Sequence, residues 1–441
     1  MLAVHFGAGS VGRGLVGQVL NEAGYKVCFV DLDSHIVVEL NRQGKYSIVL
    51  AGESKTTVEV SNVMAMDAQL DAKGVIDAIG KAAIVTTAVG TNALPTVAKL
   101  IADALNLRLS VNKTPLNIFA CENAMDASQA LKQLVSKHIL TEVVGTFDDC
   151  VGFVNSTVDR IVSQQIHEDF LTVTVDPHCE WISDSTQVVG GLPDIAGIRF
   201  VSDFMLHAER KFFTVDTMYT AVAFAGANFG HATVLQALKD KNIQDLLKGV
   251  CNETGEYLIN KYNLDREEHA KYQQRTLERI SNALIVDHVN RVARNPISKL
   301  GANERFVKPA LQLLDMEIEV GADTLNSADL QASPELVAAL AQQFGVDAST
   351  LQDEGAIKQA LNSLLSDYSA VLAPASLSKV IAMVLLYRDS DDEESVQLQQ
   401  YLSTIGVEEF LQKYCGIDED STLMQLIVGE YLKLFKSKKT K

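Results

Sequence analysis

The sequence predicts an α/β fold in which a doubly wound parallel sheet is followed by a mainly α-helical domain. Over about the first 190 residues, short apolar runs typical of buried strands alternate with helical patterns, as in parallel sheets with helices on both faces. Beyond that point long amphipathic stretches dominate, over 201–290, 335–387 and 395–435. We therefore expect one domain at 1–190 and a second at 191–441.

The runs that predict the strands follow one another with helical patterns between them. The first is LAVHF at 2–6, and the helical stretch after it, at about 10–23, would end at Gly24. Three further runs predict buried strands: YKVCFVDLD (25–33), AAIVTTAVG (82–90) and LNIFACEN (116–123). Strands joined by helices in this way are expected to lie parallel in one sheet.

The overall charge restricts the partners. The 441 residues include 56 acidic and 38 basic side chains, for a formal charge of −18. This balance argues against a nucleic-acid or anionic-membrane surface but allows a local basic pocket for a small anion. The apolar run VIAMVLLY at 380–387 is too short to span a bilayer. We expect a small-molecule substrate, no nucleic-acid or membrane partner, and a monomer or small homo-oligomer.

The cysteines indicate a reducing environment. Six are scattered along the chain, with no C-x-x-C pair and no cysteine–histidine spacing typical of zinc. Reduced thiols in a cytoplasmic protein without a metal are the plain interpretation. The first residues, MLAVHFGAGS, pass directly into a predicted strand with no sign of a targeting segment.

The strongest motif is FGAGSVGRG, in which Gly7, Gly9 and Gly12 follow the pattern G-x-G-x-x-G. It lies directly after a predicted strand and opens a predicted helix, which is the context of a dinucleotide-binding Rossmann turn. Gly7 would allow the tight turn, Gly9 the close approach of a pyrophosphate, and Gly12 the packing of helix on strand. The first helical turn, with Ser10 and Val11, would offer N–H groups to the phosphates.

An acidic residue completes this motif. Asp31 ends the second predicted strand, where its carboxylate would bind the ribose hydroxyls and repel a 2′-phosphate, which predicts NAD as the cofactor rather than NADP. The TTAVG segment ends a later strand, and the small residues Thr87 and Ala88 would let the cofactor lie close, although a plain strand-to-loop transition explains the pattern equally well. In ACEN, Asn123 would present an amide to a substrate or to the nicotinamide.

Together these segments resemble the polyol-specific long-chain dehydrogenases over most of the chain. The matching segments occur in the family's order and spacing: HFGAGSVGRG, TTAVG, ACEN, VDRIV (158–162), EWISD (180–184), ERKFFT (209–214), GH (230–231), RNPISKL (294–300) and RDSDDEE (388–394). Between the last two segments, the resemblance implies an insertion of roughly fifty residues at about 317–370, long enough for a small helical subdomain.

The resemblance implies a metal-independent enzyme that transfers hydride between NAD(H) and a sugar phosphate, interconverting fructose 6-phosphate and mannitol 1-phosphate. It implies that Lys211 is the general base and that Asn123 is an active-site amide. The family pattern K-x4-N-x2-H continues from the lysine, but here Asp216 stands in place of the asparagine and Tyr219 in place of the histidine.

These two departures bear on the chemistry. A lysine that acts as a base must have its pKa lowered from about 10.4 toward 7–8, and a nearby carboxylate acts in the opposite direction. A carboxylate would also face the developing alkoxide with a like charge. Tyr219 still offers a hydrogen-bond donor, and in a regular helix Lys211, Val215 and Tyr219 would lie along one stripe.

Three interpretations remain open at this stage. Asp216 is protonated in a dry site and donates a hydrogen bond, or the site serves a different polyol or a sugar acid, or the protein binds NAD without turning a substrate over. For the whole segment, an amphipathic helix with a solvated Lys211 is the plain structural alternative.

A basic cluster interrupts the acidic second half. Arg294, Lys299 and Arg305, with Lys308 close by, fall within fifteen residues, and their spacing resembles the family segment near the substrate phosphate. Arginine forks suit that anion. Solvated helix faces would produce the same spacing.

Overall fold

The computed structural model describes residues 1–163, 165–326 and 373–439. The expected insertion at about 317–370 lies, beyond residue 326, outside them. The chain forms two compact units. The first contains Met1–Lys211 and Glu278–Asp287, and the second contains Phe212–Leu277 and His288–Lys441.

The first unit contains all of the strands in the described residues. They are β1 (Leu2–Phe6), β2 (Lys26–Asp31), β3 (Lys45–Ala51), β4 (Lys55–Ser61), β5 (Val63–Asp67), β6 (Ile84–Thr87), β7 (Leu116–Ala120), β8 (Val151–Asp159), β9 (Val162–Ser163), β10 (Val173–Val175), β11 (Glu180–Asp184) and β12 (Arg199–Val201). Eight of them form one sheet in the order β12-β11-β8-β7-β6-β1-β2-β5, and the other four form a smaller sheet in the order β4-β3-β10-β9.

The larger sheet confirms the predicted doubly wound fold. Strands β5, β2, β1, β6, β7 and β8 are mutually parallel, and β11 joins β8 antiparallel. Alternate residues of β1 enter two different hydrophobic clusters: Val4 and Phe6 belong to one, and Ala3 belongs to the other. Because both faces of the sheet are buried, its strands read in the sequence as continuous apolar runs.

The strands end two or three residues sooner than the apolar runs predict. The runs at 25–33, 82–90 and 116–123 become strands that end at Asp31, Thr87 and Ala120. The last residues of each run lie instead in loops at the carboxyl ends of the strands, where parallel sheets bind ligands.

The helices of the first unit cover the sheet. They are α1 (Gln18–Glu22), α2 (Ser34–Gln43), α3 (Ala72–Lys81), α4 (Leu94–Val111), α5 (Ala127–Ser136), α6 (Val144–Cys150) and α7 (Phe204–Lys211). The helix predicted at about 10–23 is not a regular α-helix, because Gly12–Gly17 form a π-helical turn before α1. Three glycines in that turn weaken the preference for α-helical bonding.

The second unit is mainly helical, as the sequence predicts. Its helices are α8 (Thr217–Phe229), α9 (Val234–Ala237), α10 (Lys241–Tyr262), α11 (Arg266–Ile280), α12 (Val289–Val292), α13 (Pro296–Lys299), α14 (Val307–Asn326), α15 (Ala375–Leu385), α16 (Glu393–Thr404), α17 (Gly406–Cys415) and α18 (Thr422–Lys439). The last residues of α11 belong to the first unit. Among the described residues, no helix combines the length and the apolar character that crossing a membrane requires.

Candidate active site

The glycine-rich turn after β1 has no room for side chains at two of its three glycines. Gly7 has a φ of +101°, and a β-carbon there would lie 2.4 Å from the carbonyl oxygen of Ala88. A β-carbon on Gly12 would lie 2.0 Å from the Gly7 oxygen and 2.7 Å from Nε2 of His5. A β-carbon on Gly9, in contrast, would meet nothing within 4 Å. Gly7 and Gly12 therefore serve the packing of the turn, and Gly9 leaves its outer side open for a ligand.

The start of the helix after this turn is exposed. Gly9, Ser10 and Val11 are all accessible to solvent, and the first helical hydrogen bond runs from the N–H of Arg13 to the Gly9 oxygen, over 2.9 Å. The N–H groups of Ser10, Val11 and Gly12 thus belong to the first turn, whose donors point out of the helix toward an anion. The turn fits the pyrophosphate of a dinucleotide.

Asp31 is held against the same turn. Its Oδ2 accepts a hydrogen bond from the N–H of Ala8 at 2.5 Å, and its Oδ1 accepts from the N–H groups of Leu32 and Asp33 at 2.7 and 3.0 Å. The carboxylate therefore has a fixed position at the end of β2, where it would meet the ribose of a bound dinucleotide and repel a 2′-phosphate. These residues fit NAD.

The ends of β1, β6 and β7 are joined by hydrogen bonds, and we call this border of the larger sheet the carboxyl edge. The N–H of Ala88 donates to the Phe6 oxygen, and the N–H of Cys121 donates to the Thr87 oxygen, both over 2.8 Å. Thr87 and Ala88 therefore lie directly beside the glycine-rich turn at Gly7.

Glu122 is a residue at the carboxyl edge that the sequence-based interpretation missed. Its side chain is buried and accepts hydrogen bonds from the hydroxyl of Thr87 (2.8 Å) and from the N–H groups of Val89 (3.0 Å) and Gly90 (2.7 Å). The available signal was an acidic residue at the end of an otherwise apolar run, directly before Asn123.

Lys211 and Asn123, which are 88 residues apart in the chain, meet in the first unit. The Nζ of Lys211 donates a hydrogen bond to Oδ1 of Asn123 at 2.9 Å. Lys211 ends α7 and is only 9% exposed, so it is not the solvated lysine of a plain amphipathic helix. Asn123 follows β7 at the carboxyl edge. The amine at this edge can exchange a proton with a bound hydroxyl group. The amide in contact with it can donate a hydrogen bond to a bound hydroxyl or carbonyl oxygen.

An ion cluster lies in the same unit. Arg279 forms a fork on the buried carboxylate of Asp159, with Nη1 2.7 Å from Oδ2 and Nη2 2.9 Å from Oδ1, and its Nε donates to Asp176. Burial acts to raise the pKa of Asp159, but hydrogen bonds from His178 and Arg279 and the charges of Arg279 and Lys211 hold it well below its usual range. No local pattern in the sequence indicates Arg279.

Asp159 also belongs to a group of potential metal ligands. Its carboxylate, the imidazole of His178 and the carboxylate of Glu180 place ligand atoms within 4.8 Å of one another. Both oxygens of Asp159 already accept from Arg279, so a cation at this point would compete with a guanidinium for the same oxygens.

Asp216 and Tyr219 lie in the second unit, and both are partly exposed. Asp216 is the last residue of a π-helical turn, Phe212–Asp216, and Tyr219 lies in α8, which begins only at Thr217. The condition for one stripe of Lys211, Val215 and Tyr219, a regular α-helix through all three, is therefore not met, because the turn between them has five-residue hydrogen bonding.

The basic residues predicted for a phosphate also lie in the second unit. The Nζ of Lys299 donates to the backbone oxygen of Arg294, whose own side chain is exposed. The guanidinium of Arg305 is 4.8 Å from the centre of the Phe212 ring and pairs with Glu304 at 3.0 Å. Burial, helped by the charge of Arg305, lowers the pKa of Lys299 to about 7. The Lys299 amine therefore lies against the backbone of Arg294 and is affected by the charge of Arg305.

Fold and site together define the class of protein. A doubly wound parallel sheet with a glycine-rich turn and an acid at the end of its second strand is an NAD-dependent dehydrogenase domain. Residues 1–197 match the model of the mannitol dehydrogenase Rossmann domain, and residues 203–332 match that of the mannitol dehydrogenase C-terminal domain. The chain belongs to the mannitol dehydrogenase family, which confirms the resemblance seen in the sequence.

Curated relatives match along nearly the whole chain. The mannitol-1-phosphate 5-dehydrogenase of Oceanobacillus iheyensis is 35% identical over 437 residues, which cover 99% of both chains. The enzyme of the same name from Brevibacillus brevis is 41% identical over 359 residues, which cover 81% of this chain and 90% of the relative.

Solved structures share the fold at much lower identity. The ternary complex of Pseudomonas fluorescens mannitol 2-dehydrogenase with NAD and D-mannitol has a TM-score of 0.67 at 16% identity, covering 99% of this chain and 91% of that one. A substrate-free D-sorbitol dehydrogenase has the same TM-score and identity, and the match covers 99% of this chain and 93% of the sorbitol dehydrogenase chain.

Proposed function

We propose that this protein interconverts D-mannitol 1-phosphate and D-fructose 6-phosphate with NAD(H), with Lys211 as the general base. The observation that carries the proposal is the 2.9 Å hydrogen bond between the buried Lys211 and Asn123 at the carboxyl edge. Relatives that match 99% of the chain at 35% identity and are named mannitol-1-phosphate 5-dehydrogenases support the substrate.

Lys211 and Asn123 have separate tasks in this reaction. Lys211 takes the hydroxyl proton as mannitol 1-phosphate is oxidised and returns it as fructose 6-phosphate is reduced. Because Oδ1 of Asn123 accepts from Lys211, the amide's NH₂ group is the part that can donate to the reacting oxygen. NAD, when bound, takes up or supplies the hydride.

Three basic residues are proposed to bind the substrate phosphate. Lys299 and Arg305 are at least half-buried, and the charge of Arg305 acts on Lys299, while Arg294 adds an exposed guanidinium close by in the chain. Two cations held together repel each other, and a phosphate dianion would relieve this repulsion. Burial in the first place, and the charge of Arg305 in the second, lower the pKa of Lys299 to about 7.

A second candidate function follows from the two altered positions. Asp216 and Tyr219, which we also propose as active-site residues, stand where the family pattern has an asparagine and a histidine. A site with these side chains suits a different polyol or a sugar acid if the carboxylate and phenol recognise hydroxyl groups that the usual pair does not.

The proposal is tested by NADH oxidation with fructose 6-phosphate, followed from pH 6 to 9 in the wild type and in Lys211→Met and Asp216→Asn. We expect turnover by the wild type and a loss of kcat of about 10³-fold in Lys211→Met with NADH binding retained, since the base is missing but the dinucleotide site is intact. Fructose and a panel of sugar acids serve as competing substrates.

Three outcomes would contradict the proposal. Wild-type protein that binds NADH but reduces only an unphosphorylated sugar or sugar acid would establish the second candidate function. Turnover that appears only in Asp216→Asn would show that the acidic residue has removed the sugar-phosphate activity. A Lys211→Met variant with wild-type kcat would exclude the lysine as the base.

A further inference from the structure

Glu122 is a buried carboxylate that neither the sequence motifs nor the proposed reaction uses. It is 5% exposed, and its two oxygens accept from three donors that all belong to residues 87–90. This segment, which we call the 87–90 loop, consists of the last residue of β6 and the first three residues after it. We propose that Glu122 is a positioning residue for hydride transfer: it fixes the position of the 87–90 loop relative to Asn123. The inference rests on the proposed function through the role of Asn123.

One side of this connection is the dinucleotide site. The 87–90 loop begins directly beside the glycine-rich turn, where the Ala88 oxygen lies so close to Gly7 that no β-carbon fits between them. Its backbone is bonded to the ends of both neighbouring strands, through the N–H of Ala88 and the oxygen of Thr87. A shift of this loop would therefore move the wall against which a dinucleotide rests.

The other side of the connection is the reacting pair. Asn123 follows Glu122 in the chain, and its Oδ1 accepts from Lys211 at 2.9 Å. Because adjacent residues share a peptide plane, the orientation of the Glu122 backbone limits that of Asn123. The Glu122 side chain thus connects the cofactor loop to the amide–lysine pair over a single residue.

The hydrogen-bonding pattern requires a carboxylate. All three partners are donors: one hydroxyl and two backbone N–H groups, with Gly90 held at a φ of +85°. A carboxylate offers two accepting oxygens, whereas a glutamine of the same shape would turn an NH₂ group toward at least one donor. Hydrogen bonds to an ionised acceptor are also shorter and stronger than neutral ones. Such bonds suit a side chain that fixes the distance between the 87–90 loop and the residue before Asn123.

The test compares Glu122→Gln with Glu253→Gln. Glu253 is a matched control, because it is 6% exposed and accepts from the backbone N–H groups of Ser376 and Leu377 in the second unit, at 2.7 and 2.8 Å. Four quantities are measured for each variant: amide hydrogen exchange over residues 87–90 in the cofactor-free protein, the Kd of NADH, kcat with fructose 6-phosphate, and the isotope effect on kcat with 4-deuterated NADH.

For Glu122→Gln we expect faster exchange over residues 87–90 and a fall in kcat of about 10- to 100-fold, since a misplacement of about 1 Å costs this much. The isotope effect on kcat should rise because hydride transfer becomes slower than the other steps. The Kd of NADH should change by less than about fivefold, because the glycine-rich turn and Asp31 are unaltered. Glu253→Gln should lower the melting temperature and leave kcat and the isotope effect at their wild-type values.

Two results would overturn the inference: unchanged exchange over residues 87–90, or a Glu122→Gln variant that loses only thermal stability, as its control does. If the wild type fails to turn over fructose 6-phosphate, the proposed function falls, while the exchange comparison still decides whether Glu122 holds the loop. If Glu122→Gln does not fold, Thr87→Val removes one of the three donors and should shift the same quantities by smaller amounts in the same direction.

Discussion

The carboxyl edge of the first unit and the basic cluster of the second unit satisfy their charges in opposite ways. At the carboxyl edge, Asp31 and Glu122 each accept from backbone N–H groups, and these donors are held in place by the sheet and its loops. In the basic cluster, Lys299 and Arg305 lie close enough for one cation to lower the pKa of the other. The carboxylates of the first region are satisfied by their own donors, whereas the second region is where we propose that the substrate phosphate binds.

Of the acidic side chains near the basic cluster, Glu304 pairs directly with Arg305, whereas two others bind the backbone instead. Asp392 accepts from the N–H of Asn295, and Glu394 accepts from the N–H and hydroxyl of Ser298. Both carboxylates therefore fix the backbone around α13, and their charges only partly offset the lowered pKa of Lys299. The comparison predicts that steric changes damage the carboxyl edge most, whereas changes of charge and pH act mainly on the basic cluster.

The largest effect is expected from Gly12→Val at the carboxyl edge. A β-carbon at this position would lie 2.0 Å from the Gly7 oxygen and 2.7 Å from the His5 ring, so the turn cannot keep its shape. NADH binding should fall by more than about 100-fold, and unfolding should occur at a lower temperature by several degrees. Gly80→Ala in α3, where a β-carbon meets nothing within 4 Å, is the control and should bind NADH as the wild type does. Wild-type NADH affinity in Gly12→Val would disprove the steric role of this glycine.

The next effect concerns the charge of the basic cluster. Arg305→Met should raise the KM for fructose 6-phosphate by about 10- to 100-fold, the usual cost of a lost hydrogen bond to a charged group. The Kd of NADH should stay within about twofold of the wild type, which separates the two regions. Lys413→Met removes an exposed positive charge elsewhere in the second unit and should leave KM unchanged. Equal effects of the two substitutions would indicate general charge rather than a phosphate site.

A third effect is the dependence of KM on pH. Lys299, with a pKa of about 7, is largely protonated below pH 7 and loses its charge above it, and a phosphate monoester is a dianion above about pH 6. Substrate affinity should therefore be highest near pH 6–7, and KM should rise at least about tenfold from pH 7 to 9. Lys299→Arg cannot lose its proton and should flatten this rise. The same steep rise in the arginine variant would assign the titration to another group.

The smallest effect tests the carboxyl edge in acid. Burial lowers the pKa of His5, whose Nδ1 lies 2.7 Å from the Thr86 hydroxyl, to about 3. The unfolded chain takes up a proton near pH 6.5 and the folded protein only near pH 3, so His5 costs no stability above pH 6.5 and progressively more as the pH falls to 3. From pH 7.5 to pH 5, the loss amounts to about 2 kcal/mol.

Urea unfolding of the wild type and of His5→Asn at several pH values isolates this contribution. The difference in unfolding free energy between the two proteins should shift in favour of His5→Asn as the pH falls, because asparagine does not titrate. Parallel curves for the two proteins would show that His5 is not responsible for the loss.

Part of the site follows from short stretches of sequence. Gly7, Gly9 and Gly12 lie within six residues of one another, and Asp31 ends the next strand, so local spacing alone predicts the dinucleotide turn and the choice of NAD. Asn123 has a weaker local signal, an amide at the end of a predicted strand, and the role of Lys211 as a base came from the resemblance to a family. Their contact is visible only in the structure.

Other residues were missed because their partners are distant in the chain. Glu122 binds the loop around Thr87, 35 residues earlier, and Arg279 binds Asp159, 120 residues earlier. Periodicity reports which face of a strand or helix is buried, but not which element covers it, so pairs of this kind leave no pattern. The π-helical turn at Phe212–Asp216, which interrupts a regular helix from Lys211 to Tyr219, is hidden for a related reason, since nothing in the local residue types indicates it.

The sequence by itself determined the doubly wound sheet, the dinucleotide turn, the specificity for NAD and the helical character of the second half. These properties depend on the order of residues within about twenty positions, where backbone geometry and side-chain periodicity act directly. Only the tertiary structure decided that Glu122 accepts hydrogen bonds from the 87–90 loop, that Arg279 pairs with Asp159, and that Lys299 lies close enough to Arg305 to be affected by its charge. Such properties depend on distances between charges and hydrogen-bonding groups, and those distances exist only after folding brings remote segments together.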